Sequence, residues 1–423
     1  MLLTKKYKIH PTEEQTDTLW YISEQCRFLY NHALAERKES WEKSSISITY
    51  NKQQNDLPEL KEINPDLKKP YSKTLQGVLK KLDGGYKSFF ALWKNGDKDA
   101  RPPNFRGKKY FFTIPYNQSG FKISDNVVTF SHKCNDVELS FEIEESLQEM
   151  KIKQFEIFND NPYKAMGDFY ISVSFEIEST KKYYDNNKYQ AIDLGISKTV
   201  TAINTDCKFF EAVNPRPDKY WNSKIDKIHS RLDRCKKGSR RWKRLHASKR
   251  RMEKKRHNQI KDFQHKLSKK MVENTRANTI IIGDLNVKKM AKKPKVKTIT
   301  KADGTTKKVK DFKEIALSRS TQNNGYLAQF VNILTYKAEL AGKKVVKVDE
   351  SYTSKACCSC GKIHEMPLSQ RDMICDCGNK IDRDRNSSIN IMTRYLSQNA
   401  IWTGYREFLG NLQIKLHIFR SYL

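Results

Sequence analysis

No run of apolar residues in this 423-residue chain approaches the roughly 20 that a membrane-spanning helix needs. The opening, "MLLTKKYKIH", also lacks the apolar core of a signal peptide, so a cytoplasmic protein is expected. No internal repeat is present. Acidic residues are scarce beside basic ones: 49 Asp plus Glu face 80 Lys plus Arg, a formal net charge of +31. So large an excess opposes compaction by self-repulsion unless a polyanion neutralises it. Nucleic acid is the first candidate partner, and an anionic membrane surface is the second. The length leaves room for two or three domains with a substantial core.

The nine cysteines lack the spread of a disulfide framework. Cys26, Cys134, Cys207 and Cys235 are scattered, whereas Cys357, Cys358, Cys360, Cys375 and Cys377 crowd into 21 residues. In a cytosolic chain such clustering reads as metal binding. Cys357-x-x-Cys360 followed by Gly361 is a zinc half-knuckle, and Cys375-x-Cys377-Gly378 is a second half, one residue short of the usual spacing. Four thiolates close a tetrahedral structural site. Cys358 or His364 is the substitute if the short pair fails to chelate.

Period and punctuation divide the chain. Thr12 and Gln15 form a candidate capping box, after which Leu19, Ile22, Cys26, Leu29 and Ala33 recur at helical spacing. Residues 12 to about 95 read as mostly helical, up to the turn signals of "RPPNFRGKKYFFTIP". Residues 105–180 switch to period two. Ile171, Val173, Phe175 and Ile177 alternate with Ser172, Ser174, Glu176 and Glu178, which predicts an antiparallel barrel or sandwich. "YYDNNKY" reads as a linker. "AIDLGISKTVTAINT" reads as a strand, a turn at Gly195 and a second strand. Residues 224–270 hold 20 Lys or Arg against four acids and read as two basic helices hinged near "KKGS". Within them Lys243, Arg244, Arg250, Arg251, Lys254, Lys255 and Arg256 are the candidate phosphate contacts.

Two acids stand out. Asp193 ends an apolar strand, and Asp384 lies just before a helix. Carboxylates gathered from distant strand ends are what a two-metal phosphodiesterase requires, with Mg²⁺ ions roughly 3.5–4 Å apart. The structural alternative is that Asp193 caps a turn and Asp382 or Asp384 caps a helix. The strand "TIIIGDLNV" (279–287) poses the harder question, because its end carries Gly283 beside Asp284, and neighbouring strand residues face opposite ways.

Several motifs in order carry a resemblance: "IDLG" (192–195), "HNQIKDFQHKLSKK" (257–270), "YKAELAG" (336–342), "YTSKACCSCG" (352–361) and "CDCGNKIDRDRNSSINI" (375–391). They resemble the TnpB family of transposon-encoded RNA-guided nucleases, relatives of compact type V CRISPR effectors. "RFLYNHALAER" (27–37) is similar to the family's N-terminal region. The similarity covers nearly the whole chain up to about residue 394.

The resemblance implies a multidomain α+β fold. It places a WED-like β-barrel at 1–11 and 100–182 and an inserted helical REC-like domain at 12–99. A RuvC-like domain of RNase H-like fold follows at 186–394. That domain carries basic helices at 215–272, a flexible basic loop at 288–318 and an inserted zinc ribbon at 353–380. The tail 395–423 has no assigned role. The resemblance also implies a guide RNA of omega type and a double-stranded DNA target beside a short flanking motif, which Tyr50 and Gln76 match positions to read. No membrane partner is implied, and a DNA-bound chain would sit on the nucleoid.

The family's three RuvC acids map onto Asp193, position 283 and Asp384. Glycine stands at 283 where the family usually has glutamate. Asp284 is one substitute, needing a bulge to turn inward, and Glu350 after "VVKVD" is a remote one. The reading drawn is an RNA-guided DNA-binding protein with cleavage impaired or lost, similar to the nuclease-dead repressors called TldR. On that reading a glutamate restored at 283 returns some cleavage. The alternative is an active endonuclease completed by Asp284 or a remote acid, and magnesium is required only then. A third reading is an RNA-binding protein with no DNA target.

Overall fold

The computed structural model describes residues 1–285 except 109, 118, 135–136, 149, 162–166 and 179–180. It further describes 297–300, 306–309, 318 and 321, and then 326–412 except 368–369, 400 and 402–405. Most of the basic segment 288–318 and the tail beyond 412 therefore lie outside the described residues.

Chain contacts divide the protein into two units, Met1–Glu178 and Ser179–Leu423. In the first, strand β1 (Leu2–Ile9) leads into α1 (Glu13–Ser44). Thr12 Oγ1 accepts the Gln15 N–H at 3.2 Å and Gln15 Oε1 accepts the Thr12 N–H at 3.1 Å, so the capping box closes reciprocally. The stripe Leu19, Ile22, Cys26, Leu29 and Ala33 is buried in the core. Helices α2 (Tyr50–Asn55), α3 (Leu57–Ile63) and α4 (Ser72–Lys94) complete the segment between β1 and the next strands.

Strands β2 (Ile114–Asn117), β6 (Lys151–Asn159) and β7 (Phe169–Glu176) join β1 in an antiparallel sheet of order β1-β7-β6-β2. Strands β3 (Phe121–Ser124), β4 (Val127–Phe130) and β5 (Leu139–Glu142) form a second sheet. Ile171, Val173 and Phe175 enter the shared core with α1, while the alternating serines stay outside it. The described strand pairs make two sheets of four and three strands, with no closing pair between them.

The second unit centres on a five-stranded sheet. Its strands are β8 (Tyr189–Leu194), β9 (Lys198–Asn204), β10 (Phe209–Val213), β11 (Thr279–Gly283) and β14 (Lys344–Val348), in the order β10-β9-β8-β11-β14. Pairing is antiparallel from β10 to β8 and parallel from β8 through β11 to β14. A hairpin of β12 (Lys297–Thr300) and β13 (Thr306–Val309) stands where a structureless loop is expected, because its eight residues pair antiparallel.

Helices α5 (Pro217–Asp233) and α6 (Arg240–Asn274) flank the "KKGS" hinge, and Ser239 caps α6 by accepting the Trp242 N–H at 3.2 Å. Helix α7 (Leu327–Leu340) precedes β14. A ribbon with strands β15 (Asp372–Ile374) and β16 (Lys380–Asp382) leads into α8 (Arg383–Gln398).

Both faces of the five-stranded sheet are covered, so its central strands are apolar on both sides. Tyr189, Ala191, Ile281 and Val348 pack against Ile389, Ile391, Met392 and Leu396 of α8. Ile192, Leu194, Ile280 and Ile282 pack against Leu267 and Met271 of α6 and Phe330 and Leu334 of α7. Among the described residues, no helix is long and apolar enough to cross a membrane.

Two glycines of α4 separate propensity from packing. Glycine in a helix interior costs about 0.5–1 kcal/mol relative to alanine. At Gly84 an added Cβ meets nothing within 4 Å, whereas at Gly77 it would lie 2.8 Å from Pro115 Cγ. Overpacking costs about 1–3 kcal/mol and outweighs the propensity gain. In denaturant unfolding, Gly84→Ala is expected to stabilise by about 0.5–1 kcal/mol and Gly77→Ala to destabilise by about 1 kcal/mol.

Candidate active site and metal centre

The parallel strands β8, β11 and β14 all end at the same edge of the sheet, where ligands of such sheets bind. Asp193 lies one residue before the end of β8 and shares a face with Tyr189 and Ala191, the face that α8 covers. Its Oδ1 accepts the Ser387 hydroxyl at 2.9 Å. Asp384 occupies the first turn of α8, three residues before Ser387, so both lie on one stripe of that helix. The structure thus brings together Asp193 and Asp384, which stand 191 positions apart in the sequence.

The two aspartates of "DRD" have different tasks. Asp382 is the cap of α8, accepting the N–H groups of Asp384 and Arg385 at 3.0 and 3.1 Å. It also pairs with Lys198 at 3.1 Å. Lys198 and Arg385 in turn hold Glu211, at 3.2 and 2.6 Å. Capping by Asp382 leaves the Asp384 side chain outside that network of bonds.

Asp284 does not enter the glycine's position. Its N–H donates to Val348 O at 2.8 Å, which continues the β11–β14 register. Its carboxylate, 58 % exposed, pairs with Lys347 at 3.2 Å. The pleat sends it to the face opposite Asp193, and no bulge turns it back. Glu350 lies two residues past Val348, the partner of Gly283 in the β11–β14 ladder. A Cβ built on Gly283 would lie 2.8 Å from Glu350 Oε2 and 3.3 Å from Ile391 Cδ1.

Charge and burial act together on these acids. Burial, then the Asp384 charge, pushes Asp193 up to about 8 against the pull of the Ser387 hydrogen bond. Burial, then the charges of Asp284 and Asp349, pushes Glu350 up to about 7. Burial and the neighbouring Asp382 also raise Asp384. Half-buried carboxylates that resist ionisation in one place are a donor set that a cation would stabilise. The oxygen-only donors suit Mg²⁺.

The cysteine site is closed. Cys357 Sγ lies 3.7 Å from Cys377 Sγ, and Cys360 Sγ lies 3.5 Å from Cys375 Sγ. Tetrahedral zinc with bonds of about 2.3 Å places its sulfurs about 3.8 Å apart, so the residues fit the metal. Among the described residues these four form the one metal-ligand group whose donor atoms all lie within 4.8 Å.

The short Cys375-x-Cys377 pair reaches the site without help, because Gly361 and Gly378 turn at φ +76° and +81°. Cys358 is not a substitute. Its sulfur lies outside the group of four, and burial pushes its thiol up to about 12. Against burial, the Asn379 amide and backbone N–H groups draw the Cys357 thiol down to about 7. Asn379 was not apparent as a site residue from sequence, and neither was Ser387.

On α6, Lys243, Arg244, Arg251, Lys254 and Lys255 are exposed and Arg250 and Arg256 half-buried. Arg256 donates to Asn222 Oδ1 at 2.5 Å, tying α6 to α5. The C-terminal half of α6 supplies its anchor, with Ile260, Leu267 and Met271 buried. In the first unit Tyr50 lines a cleft of about 700 Å³ with Arg37, Trp41, Tyr86 and Phe90. Gln76 is half-buried on α4 and is not among its lining residues.

Two outcomes follow. Cys375→Ser is expected to abolish stoichiometric zinc in elemental analysis, and Cys358→Ser to retain it. The second concerns Asp193, which holds its proton more tightly in the folded state than at its unfolded value of 3.8. Its contribution to stability is therefore full below that value and drains as pH rises towards about 8. In magnesium-free buffer the melting temperature of Asp193→Asn should exceed that of the wild type by a margin that grows from pH 5 to pH 8. A margin independent of pH would contradict this.

Comparison with known proteins bears on the same segments. Residues 1–45 match a family described as "Helix-turn-helix domain", residues 172–293 one described as "Probable transposase", and residues 328–391 one described as "Cas12f1-like, TNB domain". The first segment folds here as β1 and the single helix α1. A Streptomyces pristinaespiralis protein named "Putative RNA-guided DNA endonuclease" is 25 % identical over 95 % of this chain and 91 % of its own length. A like-named protein of Escherichia coli K12, InsQ, is 28 % identical over 88 % and 86 %. TnpB-like protein L79 of Acanthamoeba polyphaga mimivirus is 30 % identical over 52 % of this chain and 40 % of its own.

Among solved structures, a Cas12f1–sgRNA–target DNA complex aligns with TM-score 0.58 and 14 % identity, over 90 % of this chain and 83 % of that one. The mini-RNA-guided endonuclease CRISPR-Cas_phi3 aligns with TM-score 0.52 and 10 % identity, over 93 % and 92 %. The multidomain α/β fold with a ribbon is common to these chains. With the ordered motifs, the four gathered sulfurs and the matched segments together, this chain belongs to the TnpB family.

Proposed function

We propose that the protein is an RNA-guided, magnesium-dependent DNA endonuclease. The observation that carries the reading is the convergence of Asp193, Glu350 and Asp384 at the edge where β8, β11 and β14 end. The mixed sheet, antiparallel through β10-β9-β8 and parallel onward to β14, supports an RNase H-like, RuvC-type domain over residues 186–394. The ribbon 353–380 would be a structural zinc module within it. The sheets built from residues 1–11 and 100–182 would be the WED-like part, and α1 to α4 the REC-like part. Relatives named as RNA-guided DNA endonucleases span most of the chain, which supports guide RNA and target DNA as partners.

Within this reading Asp193, Glu350 and Asp384 would hold Mg²⁺, which supplies Lewis-acid chemistry at the scissile phosphate. The chain's own residues prepare the place. The Ser387 hydroxyl fixes one oxygen of Asp193. Asp382 caps α8 and so sets the angle at which Asp384 leaves the helix, while the positive end of the helix dipole favours that carboxylate. The exposed cations of α6 neutralise phosphates without reading sequence. Guide pairing would choose the target, and the N-terminal unit, through Tyr50 and Gln76, would read the flanking motif.

A second reading rests on its own observation: Gly283 carries no oxygen and Asp284 turns to Lys347. In that case the protein would occupy DNA as a repressor without cutting it.

Expression with the flanking transposon-end sequence, sequencing of the co-purified RNA, and incubation with Mg²⁺ and a plasmid carrying the matching target separate the readings. Linear product is expected. Guide-dependent protection without cutting would select the repressor, and absence of such protection would overturn both.

A further inference from the structure

The structure assigns an adenine-nucleotide pocket to the end of the five-stranded sheet opposite the carboxylates, centred on the buried amide of Gln190. An adenine swung out of the bound RNA is the occupant that the surroundings favour. The pocket stands apart from the nuclease reading, and only its RNA source rests on the guide RNA proposed above.

The place is a cavity of about 430 Å³ between the start of β8, the turn joining β9 to β10 and the C-terminal end of α6. Small-molecule sites run from roughly 300 to 1,000 Å³. Asp193 lies three residues further along β8, about 10 Å away and on the other face. Gln190 pairs with Asn204, and Phe210 with Ala202 two residues before it, so these side chains share the α6 face. Asn204 Oδ1 accepts the Lys208 N–H at 2.8 Å and shapes the turn, in which Cys207 takes φ +56°.

Gln190 carries the inference. It is 9 % exposed, and its neighbours on the same face of β8, Ile192 and Leu194, are apolar. Among the described residues no donor reaches its Oε1, and the side chain lines the cavity. A buried amide oxygen without a donor is costly, and leucine would fill the same place without that cost. Adenine matches the amide at both atoms, its N6 amine donating to the oxygen and its N7 accepting from the nitrogen. Uracil presents O4 instead, which would set oxygen against oxygen.

The rest of the cavity suits the other parts of a nucleotide. Phe210 is half-buried, with Lys270 Nζ 5.8 Å from its ring centroid, and offers a face on which a base stacks. Lys188, Lys208, Lys270 and Arg276 stand exposed around the mouth, against one acid, Asp206. Lys343 offsets the negative end of α6 there, donating to Thr275 O and Ala277 O at 2.8 and 3.0 Å. Four exposed cations exceed what a single phosphate needs. They suit the run of phosphates on either side of a splayed nucleotide, as in single-stranded RNA recognition.

The test compares wild type, Gln190→Leu and Lys188→Glu/Lys208→Glu. RNA co-purified with each is probed with dimethyl sulfate, which methylates adenine N1. One unpaired adenine is expected to be protected in the wild type and to gain about 5-fold or more in reactivity in both variants. In a second arm the full chain, freed of RNA at high salt, is dialysed against AMP and against UMP. Wild type is expected to retain AMP about 5-fold or more over UMP, and Gln190→Leu to lose that preference.

Melting temperature and zinc content report folding. Gln190→Leu should melt no lower than wild type, because it removes an amide without a donor. The double lysine variant alters only exposed side chains and decides the RNA arm if Gln190→Leu misfolds. An adenine whose protection depends on these residues sustains the pocket with RNA as its source. AMP preference without such an adenine sustains it with a free nucleotide as its source. Equal retention of AMP and UMP by the wild type, with no variant-dependent adenine, overturns it, as does an AMP preference that Gln190→Leu leaves intact. Should no RNA co-purify, the RNA-guided reading fails, and the dialysis still decides the pocket.

Discussion

The parallel register of β8, β11 and β14 is the constraint on which the site depends. Once Ile281 is paired with Ala191 and Val346, the pleat assigns every neighbouring side chain to one face or the other. Asp193, Gly283 and Glu350 then share the face that α8 covers, and Asp284 is sent with Ile282 to the opposite one. No local preference of Asp284 competes with this, because a one-residue slip would pull Ile280 and Ile282 out of their packing against α6 and α7 and Ile281 out of its packing against α8.

Helix α8 contributes the other half of the geometry through its own period. Asp384, Ser387 and Ile391 are spaced by three and four, so they form one stripe against the strand ends. The stripe carries an acid for the site, a hydroxyl that orients Asp193, and a methyl group beside Gly283. Asn386 and Asn390 donate to Thr353 O and Ala356 O, which ties the same helix to the start of the ribbon. The ribbon thus helps fix where α8 begins.

The charge distribution divides along the same lines. A chain of net charge +31 concentrates its cations on α5 and α6 and gathers half-buried acids at one sheet edge. Repulsion among the former and among the latter is relieved by opposite partners: a polyanion for the helices, and divalent cations for the acids. The cysteines are gathered by the local turns at Gly361 and Gly378, and the thiolates so placed suit Zn²⁺. Local chain geometry suffices for the ribbon, whereas the acid site needs four distant segments.

Local order was legible in the residues themselves. The capping box at Thr12, the stripe from Leu19 to Ala33, the alternation around Ile171, the hinge before Ser239 and the paired cysteine knuckles all depend on contacts within a few positions, which period and turn chemistry encode directly. Asp193 and Asp384 were legible because each stands at the end of a patterned element. What the tertiary structure alone decided was which acid faces them. Whether Asp284 or Glu350 fills the place beside Gly283 depends on strand register and on a neighbour 67 residues away, and side-chain direction across parallel strands is fixed only when both faces of the sheet are packed.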